Sequence, residues 1–283
     1  MSFNDIFEEI KNSPYKHPRG CEDYKRIESK LLEIVNKSGF VSGGSGNNSF
    51  GPFGEISLPY FKMGAIDSLD LFGLDEMIIF SYYFNNRNRY KKVADLGANI
   101  GLHSMLMSKC GFQIEAYEPD PTHIEMIGKN FKLNSVNSVN LNQVAVSDVD
   151  RKTKFVRVLG NTTSSHIAGA KDNAYGDLET YDVNVVSAKE IFKNSDFIKM
   201  DVEGEEAKII LSTTKEDWKN VDMIMEVGNE KNKEAIFEHL NSIGVNMFSQ
   251  KQAWKKVEVV GNMPANYKEG SLFVSLDNEM LWD

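Results

Sequence analysis

Cysteine is scarce in this chain: only Cys21 and Cys110 occur among 283 residues. Two thiols cannot build a disulfide framework or a cysteine-rich zinc site. Cys110 ends an apolar helix face and is expected to pack in the core, where free cysteines usually lie. Long hydrophobic runs are also missing. The hydrophobic fraction is an ordinary 41%, but no stretch reaches the roughly 18 apolar residues of a membrane span. The opening MSFNDIFEEIKNSPYK carries acids where a secretion signal needs a basic flank and an apolar core. The chain is therefore expected in the cytoplasm, without a membrane partner. Positive charge is short as well: 32 Lys and Arg stand against 41 Asp and Glu, net −9. A nucleic-acid partner calls for a basic stripe, and the nearest basic cluster, residues 87–92, sits at a helix end, where it complements the helix dipole. No internal repeat is present.

What is there reads as strand alternating with helix. Residues 23–37 place Ile27, Leu31, Ile34 and Val35 at helical spacing. Residues 39–54 are rich in Gly, Ser and Asn and read as a loop, either a plain connector or a lid. Residues 74–90 form a helix with Asp75 and Glu76 in its first turn and Arg87 and Arg89 in its last, and its apolar middle should be buried. From residue 91, strands are expected at 92–96, 113–118, 139–146, 197–201 and 222–227. Helices fall between most of them, residues 154–159 and 181–186 read as further strands before the fourth, and strands at 245–249, 256–260 and 271–276 finish the chain. Asp120 and Pro121 suit the N-cap and first position of a helix. This pattern predicts an α/β fold with a mostly parallel sheet covered on both faces. The division expected is an N-terminal helical extension over residues 1–90, packed on a catalytic domain over 91–283. The extension could cover an acceptor site or mediate self-association into a homo-oligomer.

The stretch VADLGANIG, residues 93–101, organises that domain. A strand ending in a glycine turn that feeds a helix is how open α/β sheets build nucleotide sites. Gly97 and Gly101 are spaced G-x-x-x-G. A dinucleotide fingerprint, G-x-G-x-x-G, would put its second glycine where Asn99 stands. No G-x-x-x-x-G-K-[ST] phosphate loop occurs either. The turn therefore suits a nucleoside without a pyrophosphate, and S-adenosylmethionine meets that description. Asp95 could accept from its ammonium, and backbone amides over Gly97, Ala98, Asn99 and Gly101 could meet its carboxylate. Glu118 ends the second strand about 20 residues after the turn, where an acid pairs with ribose hydroxyls. Asp148, after the third strand, could accept from the adenine amino group or simply be a turn acid.

In order, DLGANIG, YEPD, AVSD, IKMDVEGEE and IMEVG resemble the FkbM-type methyltransferases over about residues 92–230. The resemblance implies a Rossmann-like class I methyltransferase sheet of seven mostly parallel strands, the last antiparallel. S-adenosyl-L-methionine would lie across the strand ends. It also implies O-methylation, with a hydroxyl of a small molecule or carbohydrate as acceptor. His103 departs from the family pattern at the helix start and is expected to be structural or close to the methionine tail.

Methyl transfer from a sulfonium requires the acceptor to be aligned and its proton removed. Asp201, Glu203 and Glu226 stand at the expected ends of strands four and five. Glu226, inside MIMEV, should be costly to bury unless it has a partner or a task. Asp201 and Glu226 could share a divalent cation, but two carboxylates do not specify a metal, and none is assigned. Residues 160–177 lack periodicity, and a long loop in a compact domain is often functional. His166 in that loop is the expected general base, while His17, His123 and His239 lack such a context. Two other readings stay open: a nicotinamide-dependent oxidoreductase, disfavoured by the glycine spacing, and a non-catalytic nucleoside-binding module, which would have no use for His166, Asp201 and Glu226.

Overall fold

Residues 2–11, 13–41, 47–170 and 176–282 are described by a computed structural model. Residues 42–46 of the Gly- and Ser-rich loop and 171–175 of the loop after His166 lie outside the described residues. The chain opens with α1 (Phe3–Ile10), α2 (Glu22–Lys37), a small hairpin of β1 (Asn48–Ser49) and β2 (Glu55–Ile56), and α3 (Leu74–Asn85). β3 (Lys92–Leu96), α4 (Leu102–Lys109), β4 (Gln113–Tyr117), α5 (Pro121–Leu133) and β5 (Val139–Asn142) alternate next. β6 (Ala145–Ser147), β7 (Arg151–Val158), β8 (His166–Ile167) and β9 (Leu178–Ser187) follow without a helix between them. The rest is α6 (Ala188–Asn194), β10 (Phe197–Met200), α7 (Glu206–Leu211), β11 (Asp222–Met225), α8 (Glu230–Ile243), β12 (Asn246–Ser249), β13 (Lys255–Lys256) and β14 (Leu272–Ser275).

Among the described residues the main sheet has eight strands in the order β13-β12-β14-β11-β10-β3-β4-β5. β5, β4, β3, β10 and β11 are mutually parallel, and β14 inserts antiparallel between β11 and β12. The seven strands that the resemblance implies become eight, because residues 255–256 pair back on β12. The expected strand at 256–260 stops there, and Val260–Asn262 turns as a short 3-10 helix. Chain order reverses between β3 and β10, the switch point at which open α/β sheets bind ligands.

Both faces of these strands are apolar. Val93, Ile114 and Phe197 join one core with α1–α5, whereas Ala94, Ile198 and Met200 join a second core with α6–α8. Alternation along a strand sends successive side chains to opposite faces, so Asp95 and Lys199 share the face of Val93 and Phe197. The caps behave as their residue types require. Asp120 accepts the Thr122 amide at 2.8 Å, with Pro121 at the first helical position.

The expected third strand, 139–146, is two strands. The Val144 amide donates to the Asn142 carbonyl at 2.9 Å. That tight turn ends β5 and sends β6 into a separate four-stranded sheet, ordered β6-β9-β7-β8. The expected long loop is thus largely structured: residues 162–164 form a 3-10 turn, and β8 pairs with β7 through Val156 and His166. No helix among the described residues is long and apolar enough to cross a membrane.

The N-terminal helices are fastened to the sheet through aromatic contacts, Tyr83 and Tyr82 against Phe197 among them, and through a buried histidine. The Trp254 indole donates to His17 Nδ1 at 2.8 Å, which leaves Nε2 to donate to the Ile10 carbonyl at 3.0 Å. Burial pushes His17 down to about 4 from 6.5, so the folded protein holds it neutral. The unfolded chain binds the proton more readily. This contribution is complete above about pH 6.5, falls away as pH drops towards 4, and amounts to about 3 kcal/mol. The urea midpoint of the wild type should therefore fall more steeply between pH 6.5 and 4 than that of His17→Asn; parallel curves would refute the linkage.

Candidate active site

The site forms where β3 and β10 end side by side. Their register pairs Asp95 with Lys199 and Leu96 with Met200. Gly97 then turns with φ +80°, and a Cβ there would stand 1.8 Å from the Asp201 carbonyl oxygen. Only glycine allows the two strand ends to approach so closely. Asn99 and Gly101 also take positive φ, 52° and 83°. At Gly101 a side chain would press on Phe131 and Ile127 of α5.

Lys199 ties the two strand ends together. Its Nζ donates to the Gly97 carbonyl at 3.0 Å and lies 3.5 Å from Asp95 Oδ1. Burial works against its charge, but the carboxylates of Asp95, Asp201 and Glu76 outweigh it and hold the ammonium above its ordinary value. Asp95 Oδ2 accepts from Ser104 Oγ at 2.6 Å, which fixes the start of α4. Glu76, delivered by α3, pairs with His103 Nε2 at 3.0 Å, and Tyr83 bonds the other ring nitrogen. His103 thus joins the N-terminal helices to α4.

A cleft partly open to solvent runs from this turn to the second sheet. Gly97, Asn99, Glu118, His123, Asp201 and Glu203 border it on one side; Val146, Phe155, Thr162, Ser165 and Ile167 border it on the other. Glu118 Oε2 accepts the Asn99 amide at 2.8 Å and Oε1 the Asp120 amide at 2.9 Å. A carboxylate has about four acceptor sites, so Glu118 keeps capacity for a ligand.

Of the residues expected at the cofactor, Gly97, Asn99 and Glu118 border the cleft, and the others do not. Asp95 is fully buried and engaged by Ser104 and Lys199. Ala98 is packed in the core, and Gly101 serves helix packing. The amides of Gly97 and Ala98 both donate to the Tyr117 carbonyl, that of Gly101 to Ala98, and that of Asn99 to Glu118. The turn therefore spends these donors on itself, on the end of β4 and on Glu118 rather than offering them to a ligand. Asp148 turns to Ser147 and Arg151, at 2.9 and 3.0 Å, because β6 leaves the main sheet just before it. Arg151 also reaches Glu205, tying the second sheet to α7.

Of the expected catalytic residues, Asp201 and Glu203 border the cleft. Glu226 stands behind them, where burial and the charges of Asp201, Glu203, Glu206 and Glu76 raise its pKa far above the carboxylate range. His166 does not border the cleft. Its neighbours Ser165 and Ile167 do, and strand alternation turns His166 to the opposite face, where Nδ1 bonds the Ser164 carbonyl at 2.9 Å. Among the described residues no group of three or more His, Cys, Asp or Glu is arranged to hold a metal ion.

Sequence reasoning missed Lys199, hidden in the apolar run FIKM, and His123, which lies five positions after Glu118 in the first turn of α5. Spacing from the acid was the available signal for His123.

The strand order and the cleft at its switch point define a class I methyltransferase fold. Residues 95–253 match the Methyltransferase FkbM domain model. The chain belongs to that family of S-adenosylmethionine-dependent methyltransferases. No curated protein matches the chain. Solved structures to which it is similar include the StiE O-MT segment 942–1257, at 13% identity over 58% of this chain and 49% of that one, with a TM-score of 0.34. Others are a SAM-dependent methyltransferase from Agrobacterium tumefaciens (10% identity, 82% and 69% covered, TM-score 0.43) and a putative O-methyltransferase from Klebsiella pneumoniae (11%, 68% and 78%, TM-score 0.36). The chain spans about half the length of the first of these. The fold assignment rests on the strand order and register.

Gly97→Ala should push β3 and β10 apart at the turn, adding a contact that cannot be relieved to a backbone strain of about 1–3 kcal/mol. Calorimetry should find binding of S-adenosylmethionine lost; wild-type affinity in this variant would contradict the close approach.

Proposed function

We propose that the protein transfers a methyl group from S-adenosylmethionine to a hydroxyl of a small molecule or glycan in the cytoplasm. The observation that carries this reading is the sharing of one cleft by Glu118 and by the carboxylates of Asp201 and Glu203. One end of the cleft suits a ribose, the other a proton to be removed.

The residues present fit the cofactor. Asn99 Oδ1 is buried and, among the described residues, has no hydrogen-bond partner. It suits a donor group brought by a ligand. Glu118 is held rigidly by two backbone amides and would take the ribose hydroxyls. When bound, S-adenosylmethionine supplies a methyl group already activated on sulfur.

The chain's own task is then to orient the acceptor and hold its proton. Asp201 borders the cleft and is proposed as the proton acceptor, in place of His166. Burial and the neighbouring acids favour the protonated form of Glu226 behind it, which limits the competing negative charge there. Glu203, with a backbone φ of 55°, also borders the cleft and would orient the acceptor. A carboxylate acting as base contributes about 10²–10⁴-fold.

Glu118→Ala should weaken calorimetric binding of S-adenosylmethionine by about 1–3 kcal/mol; unchanged affinity would remove the ribose role. The acceptor class is tested with methyl-labelled S-adenosylmethionine and a panel of sugars and hydroxylated small molecules. Label in an ether-type methyl supports the reading, and label confined to nitrogen or carbon contradicts it. With an acceptor in hand, Asp201→Asn should lower turnover about 10²–10⁴-fold while cofactor affinity holds, and Glu226→Gln should keep most of it. Wild-type turnover in Asp201→Asn would remove the base role.

A further inference from the structure

His123 is almost fully buried, 3% exposed, yet it borders the cleft, and neither proton removal nor methyl supply uses it. Its two ring nitrogens face two different parts of the site. Nε2 bonds Thr162 Oγ1 at 3.0 Å. Nδ1 faces Glu118 Oε1 at 3.6 Å, a distance for charge attraction rather than for a formed hydrogen bond.

The Thr162 end is itself anchored. The Thr162 amide donates to the Met63 carbonyl at 2.9 Å, and the Ala65 amide donates to Gly160 at 2.6 Å. Ser165 Oγ accepts the Val158 amide at 3.1 Å. The wall of the cleft at residues 162–165 is thus carried by the second sheet and by the N-terminal segment around Met63. The Glu118 end is anchored on the glycine turn and on the start of α5. Between these two bodies stands one rigid imidazole, itself fixed by the first turn of α5.

We propose that His123 is a positioning residue that couples the cofactor acid Glu118 to the wall at residues 162–165, so that occupying the acid draws the wall into register with the cleft. This rests on the cofactor reading above. The ring cannot stretch: shortening the gap to Glu118 moves Thr162 with it, and displacing Thr162 pulls the ring from Glu118. Electrostatics favours the closed arrangement. Burial lowers the pKa of His123, but the carboxylate of Glu118, with the charge of Asp120, outweighs burial and the opposing Arg157 and raises it above the ordinary value. The charged form of the ring is thereby favoured, and that form attracts the carboxylate.

The test titrates S-adenosylhomocysteine into wild type, His123→Ala, His123→Asn and His123→Gln by calorimetry, and follows amide hydrogen exchange of residues 160–166 with and without it. Asn offers an amide near the Nδ1 position and Gln one near Nε2, so each keeps one half of the link. Expected are ligand-dependent slowing of exchange at residues 160–166 in the wild type, loss of that slowing in all three variants, and affinity about tenfold weaker in His123→Ala. Slowing that persists in the Asn or Gln variants would overturn the proposal, as would its absence in a wild type that binds. A wild type that fails to bind S-adenosylhomocysteine would instead overturn the cofactor reading on which the proposal stands.

Discussion

The close approach of the Gly97 turn to the Asp201 carbonyl is the constraint on which the rest of the site depends. Two parallel strands from either side of the switch point end at the same level, and their turns must pass each other without a side chain between them. Lys199 reinforces the contact from within by bonding the Gly97 carbonyl and neutralising Asp95. With the turn fixed there, its amides fall on the end of β4, Glu118 is drawn onto Asn99, and α4 starts on Ser104 and Asp95. The acids that follow β10, Asp201 and Glu203, then border the cleft that Glu118 opens. Binding and chemistry are proposed for opposite ends of one cleft because a single backbone contact sets both.

Much of the main sheet was legible because its signals are local. An apolar strand, a glycine turn, an N-cap acid and a proline at the first helical position each act within a few residues, and β3 through α5 follow them closely. The failures come where tertiary contacts decide. Residues 139–146 have one composition, and only the turn at Val144, with β9 waiting as a partner, divides them between two sheets. Residues 160–170 show no period of their own, since β8 exists only because β7 offers it an edge. The strand expected at 256–260 is confined to Lys255 and Lys256, because pairing with β12 decides its extent.

The site was readable by residue type at strand ends and much less by direction. Glu118 was placed by its spacing from the turn, and Asp201 and Glu203 by following an apolar strand; all three border the cleft. Asp95 and Asp148 have the right chemistry at sensible spacing, yet one is held by Lys199 and Ser104 and the other by Arg151. A sequence does not show which acids will meet internal partners. His166 illustrates the same gap on a strand, where a single step of alternation decides between the cleft and the opposite face. His123 was overlooked for the converse reason: a histidine in the first turn of a helix looks unremarkable until Thr162, far along the chain, is brought to its ring.

The central claim is that a nucleoside lies between Glu118 and the wall of the second sheet, with its reacting end towards Asp201. The most direct measurement is a crystal structure with S-adenosylhomocysteine bound. The account expects ribose hydroxyls on Glu118, a polar group of the ligand on Asn99, and the sulfur nearer to Asp201 than to His166. A nucleoside bound elsewhere, or a sulfur facing away from Asp201, would contradict it.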